Sequence, residues 1–311
     1  MKRASLFAVF CFTLLLSTSI AVAQSNLLNA RVPQEVGKLN DQQIAANDES
    51  PLSYGFIDDR DVLWSKTIWE KIDLDERINF PYYYPSEPQN LGEERRSLFD
   101  VLMRGIEEGK IKEVYGDPEG YFREKLTYEQ VLKNISFTGY LAGYQQAYNE
   151  GILSEEEIEK EYGVTIPLTS KDVIEYRIKG TWYFDKRQGE MKYRLLGIAP
   201  CAPDKEKNNP QGPPPGFDEN ALFPLFWVWF PDAREVLNDA YVFNTRNSSQ
   251  PIAFDHMLNS RRFNAVIYKE ENVYQDRQVD AYIYEDALQQ LLESERIKSV
   301  IRDFEQDMWN N

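Results

Sequence analysis

DVIEYRIKGTWYFDKRQGEMKYRLLGIAP, Asp172 to Pro200, alternates apolar and polar side chains on either side of a short polar interruption. A period of two belongs to strands, because successive side chains of a strand point to opposite faces. Trp182 and Phe184 face one way, Tyr193 and Leu195 lie opposite, and DKRQG, Asp185 to Gly189, supplies the turn of a β-hairpin. Downstream, LFWVWFP (Leu225 to Pro231) is a short apolar run that reads as a buried strand able to join the same sheet.

Around this hairpin the pattern turns helical. SEEEIEKEYG opens with Ser154 and Glu157 at capping-box spacing, and its acids suit a helix N-terminus. Near the end of the chain, Leu288, Leu291, Leu292, Ile297, Ile301, Phe304 and Met308 fall on one helical face, a stripe that suits core packing. Strands gathered in the middle with helices on both sides predict an α+β fold.

The two halves also echo one another. DDRDVL (Asp58 to Leu63) recurs as DAREVL (Asp232 to Leu237), FDVLM (Phe99 to Met103) as FDHML (Phe254 to Leu258), and TYEQVL (Thr127 to Leu132) as IYEDAL (Ile283 to Leu288). A short strand ending at Tyr115 or Tyr268 lies between the second and third pairs. The common order predicts an internally duplicated helix and short-strand unit, Asp58 to Leu132 and Asp232 to Leu288, with the hairpin and a long Pro-rich loop between. Phe99 and Phe254 are expected in the core, and Asp100 and Asp255 as caps or acceptors for backbone groups.

The beginning of the chain pairs Lys2 and Arg3 with an apolar run to Ala23, and AVAQ offers small residues at Ala21 and Ala23. That is a secretory signal peptide, with cleavage expected after Ala23. No lipobox surrounds Cys11, and no later run approaches the roughly 18 apolar residues of a spanning helix. Cleavage would remove Lys2, Arg3 and no acid, leaving 33 basic against 51 acidic residues, a net charge of −18 over 288 residues. Such a surface repels polyphosphate and excludes ordinary nucleic-acid binding. It would also leave Cys201 alone, so no intrachain disulfide is expected and stability must come from core burial.

The organisation that follows is a signal peptide over 1–23, a flexible arm over 24–50 and a first unit over 51–165. The hairpin, Pro-rich loop and buried strand occupy 166–230, and the second unit with the C-terminal helix 231–311. CAPDKEKNNPQGPPPGFDEN, Cys201 to Asn220, is the loop.

A search for reactive constellations returns little. His256 is the only histidine and sits in a predicted helix, with no GxSxG elbow to present a serine to it. No cluster has metal-ligand spacing, no glycine loop cradles phosphate, and nothing near Cys201 would lower a thiol pKa. The reading is of a chain with no catalytic residues, no metal and no cofactor. Abundant acids leave a carboxylate pair for glycoside cleavage open, but unspecific.

What the chain does carry is an aromatic, charged segment, DDRDVLWSKTIWEKIDLDERINFPYYYP, Asp58 to Pro85. Trp64, Trp69, Tyr82, Tyr83 and Tyr84 combine large apolar area with polar tips, the mixture that dominates interface energetics. With Lys66, Arg95 and Arg96 they are the candidate partner-binding residues. At a helical pitch Ile68, Trp69 and Ile72 would share a face, so Trp64 and Trp69 also read as core, while Pro81 and Pro85 would hold the tyrosines extended.

DVLWSKTIWEKIDLDERINFPYYYP, SLFDVLMRGIEEGKI (Ser97 to Ile111) and FDHMLNSRRFNAVIYKEEN (Phe254 to Asn272) resemble the GldN/PorN family of gliding-motility and type IX secretion subunits in the Bacteroidetes. The likeness extends over nearly the whole chain after Ala23. It implies a non-enzymatic periplasmic subunit that assembles with a GldK/PorK-like lipoprotein into a ring under the outer membrane. It also implies contact with a GldM/PorM-like inner-membrane-anchored subunit coupled to a motor. Two other classes remain alongside it. A periplasmic carbohydrate-binding or carbohydrate-cleaving protein would stack sugars on the same aromatics, and a chaperone for secreted chains would use the arm or the Pro-rich loop.

Overall fold

The computed structural model describes residues 50–87, 95–140, 163–203, 221–242, 244, 252–284 and 286–309. All elements below lie in the unit Ser53–Asn311. The signal peptide, nearly all of the arm, most of the Pro-rich loop and the helix expected from Ser154 lie outside the described residues.

The hairpin forms as its alternation dictates. Strands β5 (Glu175–Asp185) and β6 (Glu190–Pro203) pair antiparallel, with Trp182 opposite Tyr193 and their rings 5.1 Å apart. Asp185 holds the turn by accepting from the Arg187 backbone N–H at 2.9 Å. Strand β1 (Val62–Asp73) lies along β5 for almost its whole length, and β11 (Val266–Glu270) adds to the outer edge of β1. On the other side β8 (Trp227–Trp229) pairs with β6, β2 (Val114–Tyr115) pairs with β8, and β7 (Leu222–Pro224) extends β6. The resulting seven-stranded antiparallel sheet runs β11-β1-β5-β6-β8-β2. Two small pairs, β3 (Ser136–Tyr140) with β4 (Gly163–Pro167) and β9 (Tyr241–Val242) with β10 (Ile252–Ala253), stand apart from it.

Helices cover one face. After a single turn α1 (Phe80–Tyr83), helix α2 (Leu98–Glu107) starts at Ser97, whose hydroxyl accepts from the Asp100 N–H at 3.3 Å. Helix α3 (Tyr128–Asn134) opens with a capping box between Thr127 and Gln130. Helix α4 (Phe230–Asp239) has Pro231 in its first turn, and α5 (Phe254–Asn259) packs beside it. The main core joins Ile72, Tyr176, Ile178, Ile198 and Val228 from the sheet to Leu98, Leu102, Phe230, Leu237 and Phe254 from these helices. The last helix, α6 (Ala287–Trp309), buries Ile297 and Ile301 against Ile68 and Ile267. Its Ser294 hydroxyl caps the Ile267 N–H at 2.9 Å and its Lys298 ammonium the Ala265 carbonyl at 2.9 Å, so α6 closes part of the sheet edge.

Several expectations change. Ile68, Trp69 and Ile72 are not on one helical face: in β1, Ile68 and Ile72 point to the helices and Trp69 to the opposite side. The LFWVWFP run is strand only from Trp227 to Trp229, since Pro231 suits a first helical turn. Helix α6 is core only from Ser294 onward. The internal duplication is not confirmed: DAREVL lies in helix α4, whereas DDRDVL is a 3₁₀ turn running into β1. FDVLM and FDHML are both helices leading to edge strands, but TYEQVL lies in its helix from Tyr128 while IYEDAL reaches helix only at Ala287.

The buried carboxylates of the fold are paired. Glu70, on the helix-facing side of β1, receives both guanidinium nitrogens of Arg261 at 2.7 and 2.8 Å. Asp255 likewise receives Arg234 at 2.9 and 3.0 Å, joining α4 to α5, and Tyr54 lies between the Arg234 and Arg194 guanidinium groups at 4.2 Å from each. Asp255 is therefore a buried ion-pair acceptor rather than a cap, and Asp100 pairs with Arg96 at 3.5 Å. Removing one partner of the Glu70–Arg261 pair, as in Glu70→Gln or Arg261→Met, is expected to cost about 3–5 kcal/mol of unfolding free energy. The double variant should lose less than the two single losses combined. Urea unfolding of the four proteins measures both, and single losses under about 1 kcal/mol would deny the pair its role.

Candidate functional site

The segment after β1 sorts the tyrosine triplet by direction. Pro81 sets α1 as one helical turn, so the three tyrosines are not extended as expected. One turn sends Tyr82 inward, where it packs on Phe254 and Phe263 at 6.3 Å and donates to the Arg262 carbonyl at 3.3 Å. Burial pushes its phenol pKa well up. Tyr84 turns outward, 53% exposed, and meets Phe80 edge-on at 5.5 Å and Tyr83 at 4.8 Å. With Ile78, 56% exposed, these rings form an outward apolar patch on a rigid anchor.

The remaining predicted residues separate. Trp64 is half-buried and stacked on Phe304 of α6, with centroids 4.8 Å apart and planes at 18°. Lys66 points to the same side and pairs with Glu270 at 2.6 Å. Trp69 and Tyr82 are fully interior, so neither offers a contact to another molecule. Arg95 is exposed and bridged through its backbone to Tyr241, and Arg96 is held by Asp100. Tyr84 and Arg95 thus stay outward, Tyr83 is half-buried against the main core, and Trp64 and Trp69, which a sugar-stacking platform would need, serve the interior.

Two features were missed. Leu288, 66% exposed, and Leu292 lie on the side of α6 opposite Ile297 and Ile301, not on the one face expected, with Leu291 between the two sides. Their apolar spacing was legible, but not which part of the stripe meets the sheet. On the face of the sheet turned from the helices, Trp69, Ala199, Trp227 and Tyr268 form a smaller cluster under a loop carrying Tyr121 and Phe122. A side chain at Gly197 would run into Phe122, and one at Gly120 (φ +72°) would meet the Trp227 ring at 2.8 Å, so the loop's close approach needs both glycines. Lys179 and Lys269 lie in this cluster, and burial pushes the pKa of each down; for Lys179 the charge of Lys269 adds to it. No sequence signal could have found it, because it depends on register across five strands.

His256 is exposed on α5. Cys201 is sealed in β6 with no exposure, and burial pushes its thiol well above the usual range. Among the described residues no group of three histidine, cysteine or carboxylate side chains is placed to hold a metal ion, and no helix is long and apolar enough to cross a membrane.

These features define an α+β protein with exposed apolar side chains set on a well-packed frame. The chain belongs to the GldN family: the model described as gliding motility associated protein GldN matches residues 57–310. It is a gliding-motility-associated protein, from a family not known for enzymatic activity. No curated protein matches the chain.

The sealed Cys201 gives a direct check on this packing. With Cys11 replaced by serine, maleimide is expected to leave the native protein unlabelled over hours and to label it within minutes in concentrated urea, as read by mass spectrometry. Rapid native labelling would show that β6 and β7 open far more readily than their burial implies.

Proposed function

We propose that the chain is a non-enzymatic structural subunit of the type IX secretion and gliding machinery, acting in the periplasm as part of an outer-membrane-associated ring. Its partners in this reading are further copies of itself, a ring lipoprotein of the GldK/PorK kind and the periplasmic part of a motor-coupled inner-membrane protein of the GldM/PorM kind. The observation that carries the proposal is the exposure of Ile78, Phe80 and Tyr84 on one short segment, with Tyr83 half-buried beside Tyr84 and Tyr82 anchored in the core. Aromatic side chains held in place and ringed by polar groups are the usual energetic centres of protein interfaces. The leucine side of α6 supplies a second, different apolar surface. Unlike patches on one subunit suit the head-to-tail contacts from which rings close.

Removing Tyr82 would damage the core, so the informative variant is Phe80→Ser with Tyr84→Ser. Surface changes of this kind move stability by roughly 0.5 kcal/mol each, whereas loss of interface anchors costs about 2 kcal/mol or more of binding, some thirtyfold in affinity. Gentle solubilisation of the native envelope, followed by size exclusion and imaging, is expected to give a large particle with the lipoprotein for the parent protein. The variant should emerge as a folded protein free of it. A variant recovered in the particle at the parent's stoichiometry would overturn the assignment of this patch, and a parent protein recovered alone would overturn the ring.

A further inference from the structure

On the sheet face turned from the helices, Trp69 of β1 is in register with Lys269 of β11 on one side and Lys179 of β5 on the other. The two ammonium groups lie 4.6 and 4.7 Å from the Trp69 ring centre, and 4.4 and 5.1 Å from that of Tyr121 above them. Lys179 donates to the Gly120 carbonyl at 3.0 Å. Lys269 is 2% exposed, and among the described residues its ammonium meets no acceptor, only the two aromatic faces.

Of the carboxylates that act on these lysines, Glu119 is exposed, and Asp117 and Asp276 are occupied elsewhere. Asp117 accepts from the backbone of Glu119 and Tyr121 at 3.1 and 2.9 Å, and Asp276 from the Asn272 backbone and the Tyr121 hydroxyl at 3.0 and 2.7 Å. By contrast, the buried acids Glu70, Asp255 and Glu175 each meet an arginine, at 2.7, 2.9 and 3.0 Å. The indole N–H groups of Trp69 and Trp227, in the same cluster, also have no acceptor among the described residues. Two buried indole donors and the Lys269 ammonium are therefore gathered here without a protein acceptor among the described residues, which is costly for buried groups unless a ligand supplies one.

We propose that this cluster binds a carboxylate presented by an acidic segment of a protein partner. A carboxylate brings acceptors only, and its bonds to ammonium groups are short and charge-assisted. Single negative charge suits the place better than phosphate, because Asp117, Glu119, Glu271 and Asp276 are close enough to act on the lysines and would repel a dianion more strongly. No arginine fork reaches into the buried part of the cluster: Arg123 lies over the Tyr121 ring at 4.8 Å but at the exposed rim, and Arg177 is held by Glu175 and by the Leu222 carbonyl at 2.8 Å. Lys179, Tyr121 and Phe122 are half-exposed and form the rim through which a side chain would enter. The inference goes beyond the ring and stands without it.

The test is calorimetric titration of the full chain, at fixed ionic strength, with an acetylated, amidated triglutamate peptide and, separately, with inorganic phosphate. Saturable peptide binding is expected, weakened about tenfold or more by Lys179→Met or Lys269→Met. Lys192→Met, which removes the same charge from a lysine paired with Asp185 beside the hairpin turn, should leave it unchanged. Circular dichroism checks the fold of each variant, and should Lys269→Met fail to fold, the half-exposed Lys179 decides. No saturation, equal weakening by all three variants, or saturation by phosphate but not peptide would each overturn the proposal.

Discussion

The pair between Glu70 and Arg261 is the contact around which the rest is arranged. Glu70 stands on the helix-facing side of β1, where an unpaired carboxylate would be prohibitive, and Arg261 reaches it from the turn after α5, held at φ +50°. The guanidinium also lies 4.2 Å from the Tyr193 ring centre and 5.1 Å from that of Phe263. One side chain thereby ties together β1, β6 and the turn leading to β11. Because a buried ion pair is favourable only when its geometry is satisfied, it selects the register of β1 more than it adds stability. With that register set, Ile68 and Ile72 fall under the helices and Trp69 falls beside Lys179 and Lys269.

The same pair explains why part of the fold was legible in the sequence and part was not. The hairpin of β5 and β6 was readable because its alternation is nearly unbroken and its turn is polar. Strand β1 was not, because its inward positions run Trp64, Lys66, Ile68, Glu70, Ile72, placing two charges where a strand pattern calls for apolar residues. Those charges become tolerable only through Glu270 and Arg261, about 200 residues away in the chain. The apparent duplication misled for a related reason. DDRDVL and DAREVL share composition, but one is drawn into strand by pairing with β5, while Pro231 starts the other as helix. Tertiary pairing overrides a six-residue resemblance.

Site residues divided along the same line. Tyr82, Tyr83 and Tyr84 were recognisable as unusual, yet which would face outward depended on Pro81 making a helical turn instead of an extended segment. Ile78 and Phe80 were passed over because single apolar residues in a loop are ordinary. The lysine and aromatic cluster joins residues of β1, β5, β11 and the loop over them, a neighbourhood that exists only after the sheet has formed. Sequence spacing carries information about neighbours on one element, and this cluster has almost none of those.

An outward aromatic patch and an inward anchor on consecutive residues have a consequence for binding. Tyr82 is fixed by Phe254, Phe263 and the Arg262 carbonyl, so α1 is already ordered before any partner arrives. Tyr84 and Phe80 are in turn held edge-on to one another, leaving little rotamer freedom to lose. Association is opposed mainly by the entropy of immobilising chains and side chains, and a patch that carries its order in the free state avoids most of that cost. In an acidic chain, where long-range charge opposes contact between like copies, such apolar area is the term best able to favour the self-association proposed for it.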